Sequence, residues 1–92
     1  MLNEAVNDCE LVLQQAPENV QALYLRGRAG ALRADGLVQN LLILRELRYA
    51  QGLFWKAGEL DRSNQDIETE RVQMNVRLQE KLAEFNLSLI HI

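Results

Sequence analysis

Apolar residues recur every three to four positions along nearly the whole chain, and a single proline, Pro17, is the one residue that forbids a continuing helix outright. No stretch shows the period-two alternation of a half-buried strand, so the pattern confines the chain to an all-α fold. Over residues 3–16, Ala5, Cys9, Val12 and Ala16 share a narrow helical face flanked by Leu2, Val6 and Leu13. Pro17-Glu18-Asn19 breaks that helix, and Asn19 suits the N-cap of a second over 20–33, on which Leu23, Tyr24, Gly27 and Ala31 align. The small profiles of Gly27 and Gly30 allow a neighbouring helix to come close. Asp35-Gly36 reads as a turn, and a third helix over 37–60 collects Leu47, Ala50, Phe54, Ala57 and Leu60 on one side. After Asp61-Arg62-Ser63-Asn64, with Ser63 and Asp66 spaced as a capping box, a fourth helix over 64–85 aligns Ile67, Met74, Leu78, Leu82 and Phe85. About four helices joined by short polar breaks make an antiparallel helix-hairpin array.

Composition narrows the functions open to such an array. The chain of 92 residues is 48% apolar and 25% charged with both signs mixed, which describes a folded segment rather than a disordered one. A formal charge of −3 leaves no basic face to neutralise phosphates, so nucleic acid is not an expected partner. The longest apolar run, Leu41-Leu42-Ile43-Leu44, falls far short of a membrane span, and Met1-Leu2-Asn3-Glu4 lacks the regions of a signal peptide. The lone cysteine cannot close an internal disulfide, which suits a reducing, cytoplasmic setting.

Catalytic chemistry finds little footing. Cys9 lies on the apolar face of its helix with no base nearby and reads as an inert core thiol. His91 is the single histidine, so neither a metal site nor His-based catalysis is expected. Gly27-x-x-Gly30 lacks the Lys-Ser/Thr of a phosphate loop and falls inside a helix, where close packing explains it. Glu68, Glu70, Glu80 and Glu84 alternate with Arg71, Arg77 and Lys81 in the charge lacing of an exposed helix. The expectation is a non-enzyme with no cofactor.

An internal repeat is visible in the spacing. Ala5-x3-Cys9-x2-Val12-x4-Pro17 places a small residue, a larger one four later, a small apolar one three later, then proline. Ala50-x3-Phe54-x2-Ala57-x4-Arg62 repeats that spacing, and Ala22-Leu23-Tyr24-Leu25-Arg26-Gly27 lies between them. Together these strings, over roughly residues 4–64, resemble the tetratricopeptide repeat (TPR) family, with Leu23 at the first-helix aromatic position and Gly27 at the family's glycine. The resemblance implies that Ala5, Ala50 and Ala57 let paired helices cross closely, that Phe54 fills the gap between hairpins, and that stacked repeats bury a continuous core. Residues 1–18 then form the second helix of one repeat, 19–61 a complete repeat, and 62–86 a long helix leading onward. Besides Leu23 at the tryptophan position, the sequence departs from the family in two further places. Pro17 and Arg62 lie 45 positions apart against a TPR period of about 34, which puts an insertion near 37–48. Arg62 also stands where the repeat usually has proline.

The wording around Asn19-Val20-x-Ala22-Leu23-Tyr24-x-Arg26-Gly27 is most similar to chaperone-associated TPR proteins, in particular the type whose arrays precede a J domain. That likeness implies a protein–protein interaction scaffold within a co-chaperone or adaptor. The rivals are a TPR segment of a peptidyl-prolyl isomerase-type enzyme and a purely structural assembly scaffold. The partners implied are other proteins, heat-shock chaperones through a wider array among them, together with self-association of so short an array. Chaperone tails are held in such repeats by a carboxylate clamp needing Lys and Arg one turn apart, and the matching positions here are Gln21 and Leu25. Arg26 and Arg28 project from other faces, read first as solvated surface and second as partner contacts. Val72 and Val76, opposite the main stripe of the fourth helix, suit either a further helix or a docked partner. Tyr24 and Trp55 are expected to pack. Residues 87–92, Leu-Ser-Leu-Ile-His-Ile, match the translation of a sequencing-library adapter and are expected to be foreign to the natural chain.

Overall fold

Pro17 has no N–H to give to a helical ladder, and in the computed structural model the first helix, α1 (Leu2–Gln15), stops two residues before it. The structure describes residues 2–90, with side chains through Phe85. Asn19 then turns the chain with extended backbone (φ −71°, ψ 106°), and its Oδ1 accepts the N–H of Ala22 at 3.0 Å to start α2 (Val20–Asp35). That helix closes on Gly36, whose N–H donates to the Arg33 carbonyl at 3.1 Å. After a short connection come α3 (Asn40–Leu60) and α4 (Gln65–Ile90). The result is all-α, a helix-hairpin array of four helices with no strand among the described residues.

The start of α4 differs from the expected Ser63–Asp66 capping box. Asn64, one residue on, is the cap: its Oδ1 accepts from Asp66 N at 3.0 Å and Ile67 N at 3.2 Å, while its amide nitrogen donates to Asp61 Oδ2 at 3.1 Å. With its donor and acceptor on separate atoms, the carboxamide is anchored behind through its nitrogen while its oxygen accepts two orphan donors ahead. Asn64→Ala should therefore lower stability by about 1–2 kcal/mol, and Ser63→Ala by no more than about 0.5 kcal/mol, as read from urea unfolding followed by circular dichroism.

Short connections force neighbouring helices antiparallel, and each helix packs mainly on its neighbour in sequence. The core lies along α3. Leu47, Ala50, Phe54 and Ala57 are fully enclosed there, facing Leu23 and Ala34 of α2 and Ile67, Met74 and Leu78 of α4. Gly27 sits directly under Phe54: a Cβ at that position would stand 2.7 Å from ring atom Cε1 and 2.8 Å from Cζ. The missing side chain lets α2 and α3 approach closely enough to enclose the ring, which also meets Tyr24 edge-on at 6.1 Å.

The insertion expected near 37–48 is not a loop. Residues 37–39 connect α2 to α3, and the rest forms the opening turns of α3, where Ile43 and Leu47 are buried among Ala34, Met74 and Leu78. Of the apolar run Leu41–Leu44, Ile43 is buried and Leu44 half-buried against α2 and α4, while Leu41 and Leu42 stay exposed.

Three expected packing residues are corrected by the structure. Ala5, Val12 and Pro17 are exposed. The stripe of α1 that meets α2 runs through Val6, Cys9 and Leu13, about one residue round from the expected face. Both stripes are apolar, and α1 packs mainly against α2, so residues off the contact stripe are left largely to solvent. Leu60 and Trp55 are likewise exposed: Trp55 projects from the side of α3 away from its core stripe, and Leu60 is the last residue of the helix. The adapter-like segment 87–92 lies outside the described side chains.

Candidate functional site

Arg26 is the main surprise of α2. Expected on a solvated face, it is only 4% exposed, because its helical position points between α1 and α3 rather than outward. A buried guanidinium requires partners. Its Nε donates to Glu10 Oε1 of α1 at 2.7 Å, and its guanidinium carbon lies 4.7 Å from the centre of the Tyr49 ring of α3. Tyr49 in turn donates its hydroxyl to the same Glu10 oxygen at 2.9 Å. About two turns further along α2, Arg33 Nη2 donates to Glu46 Oε1 at 2.7 Å. Gly30 leaves room for this arrangement: a Cβ there would stand 2.8 Å from Arg26 Nη1 and 3.4 Å from Glu46 Oε2. Those two atoms are the buried side-chain polar atoms without a hydrogen-bond partner among the described residues.

Above this network the three helices leave a cleft of about 540 Å³, whose walls also include Leu37, Leu42 and Arg45. It combines two aliphatic side chains with three arginines and two glutamates. Arg45 is exposed and makes no ion pair or hydrogen bond among the described side chains. None of Glu10, Arg33, Arg45, Glu46 and Tyr49 was singled out by motif. The available signal was the seven-residue spacing of Arg26 and Arg33, two cations on a helix side that turns inward.

Burial pushes the Tyr49 phenol above its ordinary 10.0, and the hydrogen bond to Glu10 adds to the effect. The folded chain thus holds that proton more tightly than the unfolded chain does. The resulting stability is complete below about pH 10 and is lost as the pH climbs through the raised value. Tyr49→Phe should cost about 0.5–1 kcal/mol at neutral pH and should flatten the fall in melting temperature between about pH 9 and 11 relative to the unaltered chain. Burial likewise raises the Cys9 thiol, with the nearby Arg26 charge opposing it, so the thiol is not activated.

The other sequence-derived candidates are dispersed. Arg28 is exposed and stacks over Tyr24 at 5.6 Å, and Val72 and Val76 are each about half exposed on the outer side of α4. Trp55 is covered on one side by Arg71 at 5.4 Å. Gln21 and Leu25 border a shallow, mostly apolar depression of about 250 Å³ with Cys9, Val12 and Ala22, where no cation is present to meet a carboxylate. Among the described residues no His, Cys, Asp and Glu cluster could hold a metal ion, and no helix is long and apolar enough to cross a membrane. Compared with protein-family models, with curated proteins and with solved structures, the chain matches none.

Proposed function

We propose that this chain is a protein–protein interaction scaffold, a TPR-type segment of a chaperone-associated adaptor working in the cytoplasm. The observation that supports this reading is the packing of the second hairpin. Gly27 is seated under Phe54, with Ala50 and Ala57 fully enclosed one turn either side. A glycine and two alanines flanking one aromatic ring bring α2 and α3 close, in keeping with what the resemblance to the repeat implies. Sequential packing of each helix on the next fits the same reading, since repeat scaffolds build their surface by adding hairpins rather than by closing a globule.

The test is the open reading frame of the intact transcript. Further hairpins of this pattern with a J domain carrying His-Pro-Asp are the expected result. An adjoining isomerase domain favours the enzyme-linked alternative, and a frame without any further hairpin rejects the repeat reading. With Gln21 and Leu25 at the clamp positions, a peptide copying an acidic chaperone C-terminus should show no affinity that depends on its terminal carboxylate. Calorimetric titration of the free-acid and amidated forms checks this, and a difference of more than about tenfold would contradict it.

A further inference from the structure

We infer that the cleft between α1, α2 and α3 docks a partner's acidic side chain flanked by an aliphatic residue. This rests on the scaffold reading and adds the chemistry of the partner. The cleft lies on a different side of α2 from Gln21 and Leu25, so it is separate from the position a terminal carboxylate would occupy.

Charge decides the sign of the occupant. Arg26, Arg33 and Arg45 face the cleft against Glu10 and Glu46, an excess of one positive charge in a chain whose formal net charge is −3. The two glutamates are already engaged: Glu10 accepts from both Arg26 and Tyr49, and Glu46 accepts from Arg33. The unspent Arg26 Nη1 and Glu46 Oε2 both lie over Gly30, so the floor carries as much free acceptor as free donor. The surplus therefore sits at the rim on Arg45, an exposed guanidinium whose fork suits a carboxylate. Shape selects the flanking residue. Leu42, 39% exposed, and the half-buried Leu37 form an aliphatic wall beside Arg45, and covering them removes apolar surface from water. A cationic ligand would meet Arg45 and Arg33 at the opening and is disfavoured. A carboxylate next to a leucine-sized side chain satisfies both walls.

The experiment uses the 92-residue chain and two peptides, each acetylated and amidated so that only side chains carry charge. One holds glutamates flanked by leucines, and the other has glutamine in place of each glutamate. Titration calorimetry should show saturable binding of the glutamate peptide and none of the glutamine peptide. Arg45→Glu should weaken the glutamate peptide by about tenfold or more, with helicity and melting temperature kept because Arg45 is exposed and unpaired. Lys56→Glu, a charge reversal on an exposed position outside the cleft, should leave the affinity within about twofold. Equal binding of both peptides, equal loss in the two variants, or no binding at all would overturn the proposal. So would occupation of the cleft by a second copy, seen as a dimer in sedimentation that the glutamate peptide does not dissociate. None of these results depends on whether the intact transcript encodes further hairpins, so the cleft and the repeat reading fail separately.

Discussion

Phe54→Ala is expected to lower the unfolding free energy by about 4 kcal/mol, measured by urea denaturation with circular dichroism. The ring is wholly enclosed and spans the two halves of the core, with Leu47 and Ala50 on one side and Ala57 on the other. Its removal leaves a cavity bounded by two helix backbones held in their own ladders, so the site cannot collapse easily. A domain of this length has a total stability of only about 5–14 kcal/mol, so the variant should melt with a broad, early transition. Gly27→Ala probes the same contact from the other side. Alanine gains about 1 kcal/mol of helix propensity, but its Cβ would fall 2.7 Å from an enclosed ring that Tyr24 also braces. The overpacking should win, for a net loss of about 1–2 kcal/mol. Combining Gly27→Ala with Phe54→Leu should cost less than the sum of the two single changes, because the shorter side chain yields the space the methyl needs. Strict additivity would mean that the two residues do not share the contact.

Arg26→Ala is the second large effect, a loss of about 3 kcal/mol. Truncation strips Glu10 of its charged partner, leaves Tyr49 without the guanidinium over its ring, and opens a space between three helices. Arg26→Met should recover most of this, since a flexible apolar side chain fills the same volume and Glu10, still partly exposed, retains the Tyr49 hydroxyl. A methionine variant as unstable as the alanine one would mean that the charge pair, rather than the filled volume, joins α1 to α3. A loss below about 0.5 kcal/mol for Arg26→Ala would show that the side chain is not held between the helices at all.

How much could be read in advance follows from the range of each interaction. The helices and their breaks depend on residues within one or two turns of each other, and Pro17, Asn19 and the stripe Leu47–Ala50–Phe54–Ala57 were all legible at that range. The cap of α4 was misplaced by one residue because serine and asparagine both suit the position locally. Only the anchor from Asp61 favours Asn64.

The opening pattern, apolar residues at helical spacing with one proline, determined by itself that the chain is all-α and divides into four helices, because hydrogen bonding along a helix and the burial of one stripe are local matters. Which of two apolar stripes α1 presents to α2, and that Arg26 rather than a leucine lies between α1 and α3, were decided by the tertiary structure alone. On a single helix, the two overlapping stripes of α1 both read as apolar, and nothing local to Arg26, a cation flanked by Ala22, Leu23, Ala29 and Gly30, tells which helices will enclose it. Only the approach of α3, permitted by the bare backbone of Gly27 and Gly30, encloses that cation, brings Glu10 and Tyr49 to it from residues 16 and 23 positions away, and leaves the cleft open above them.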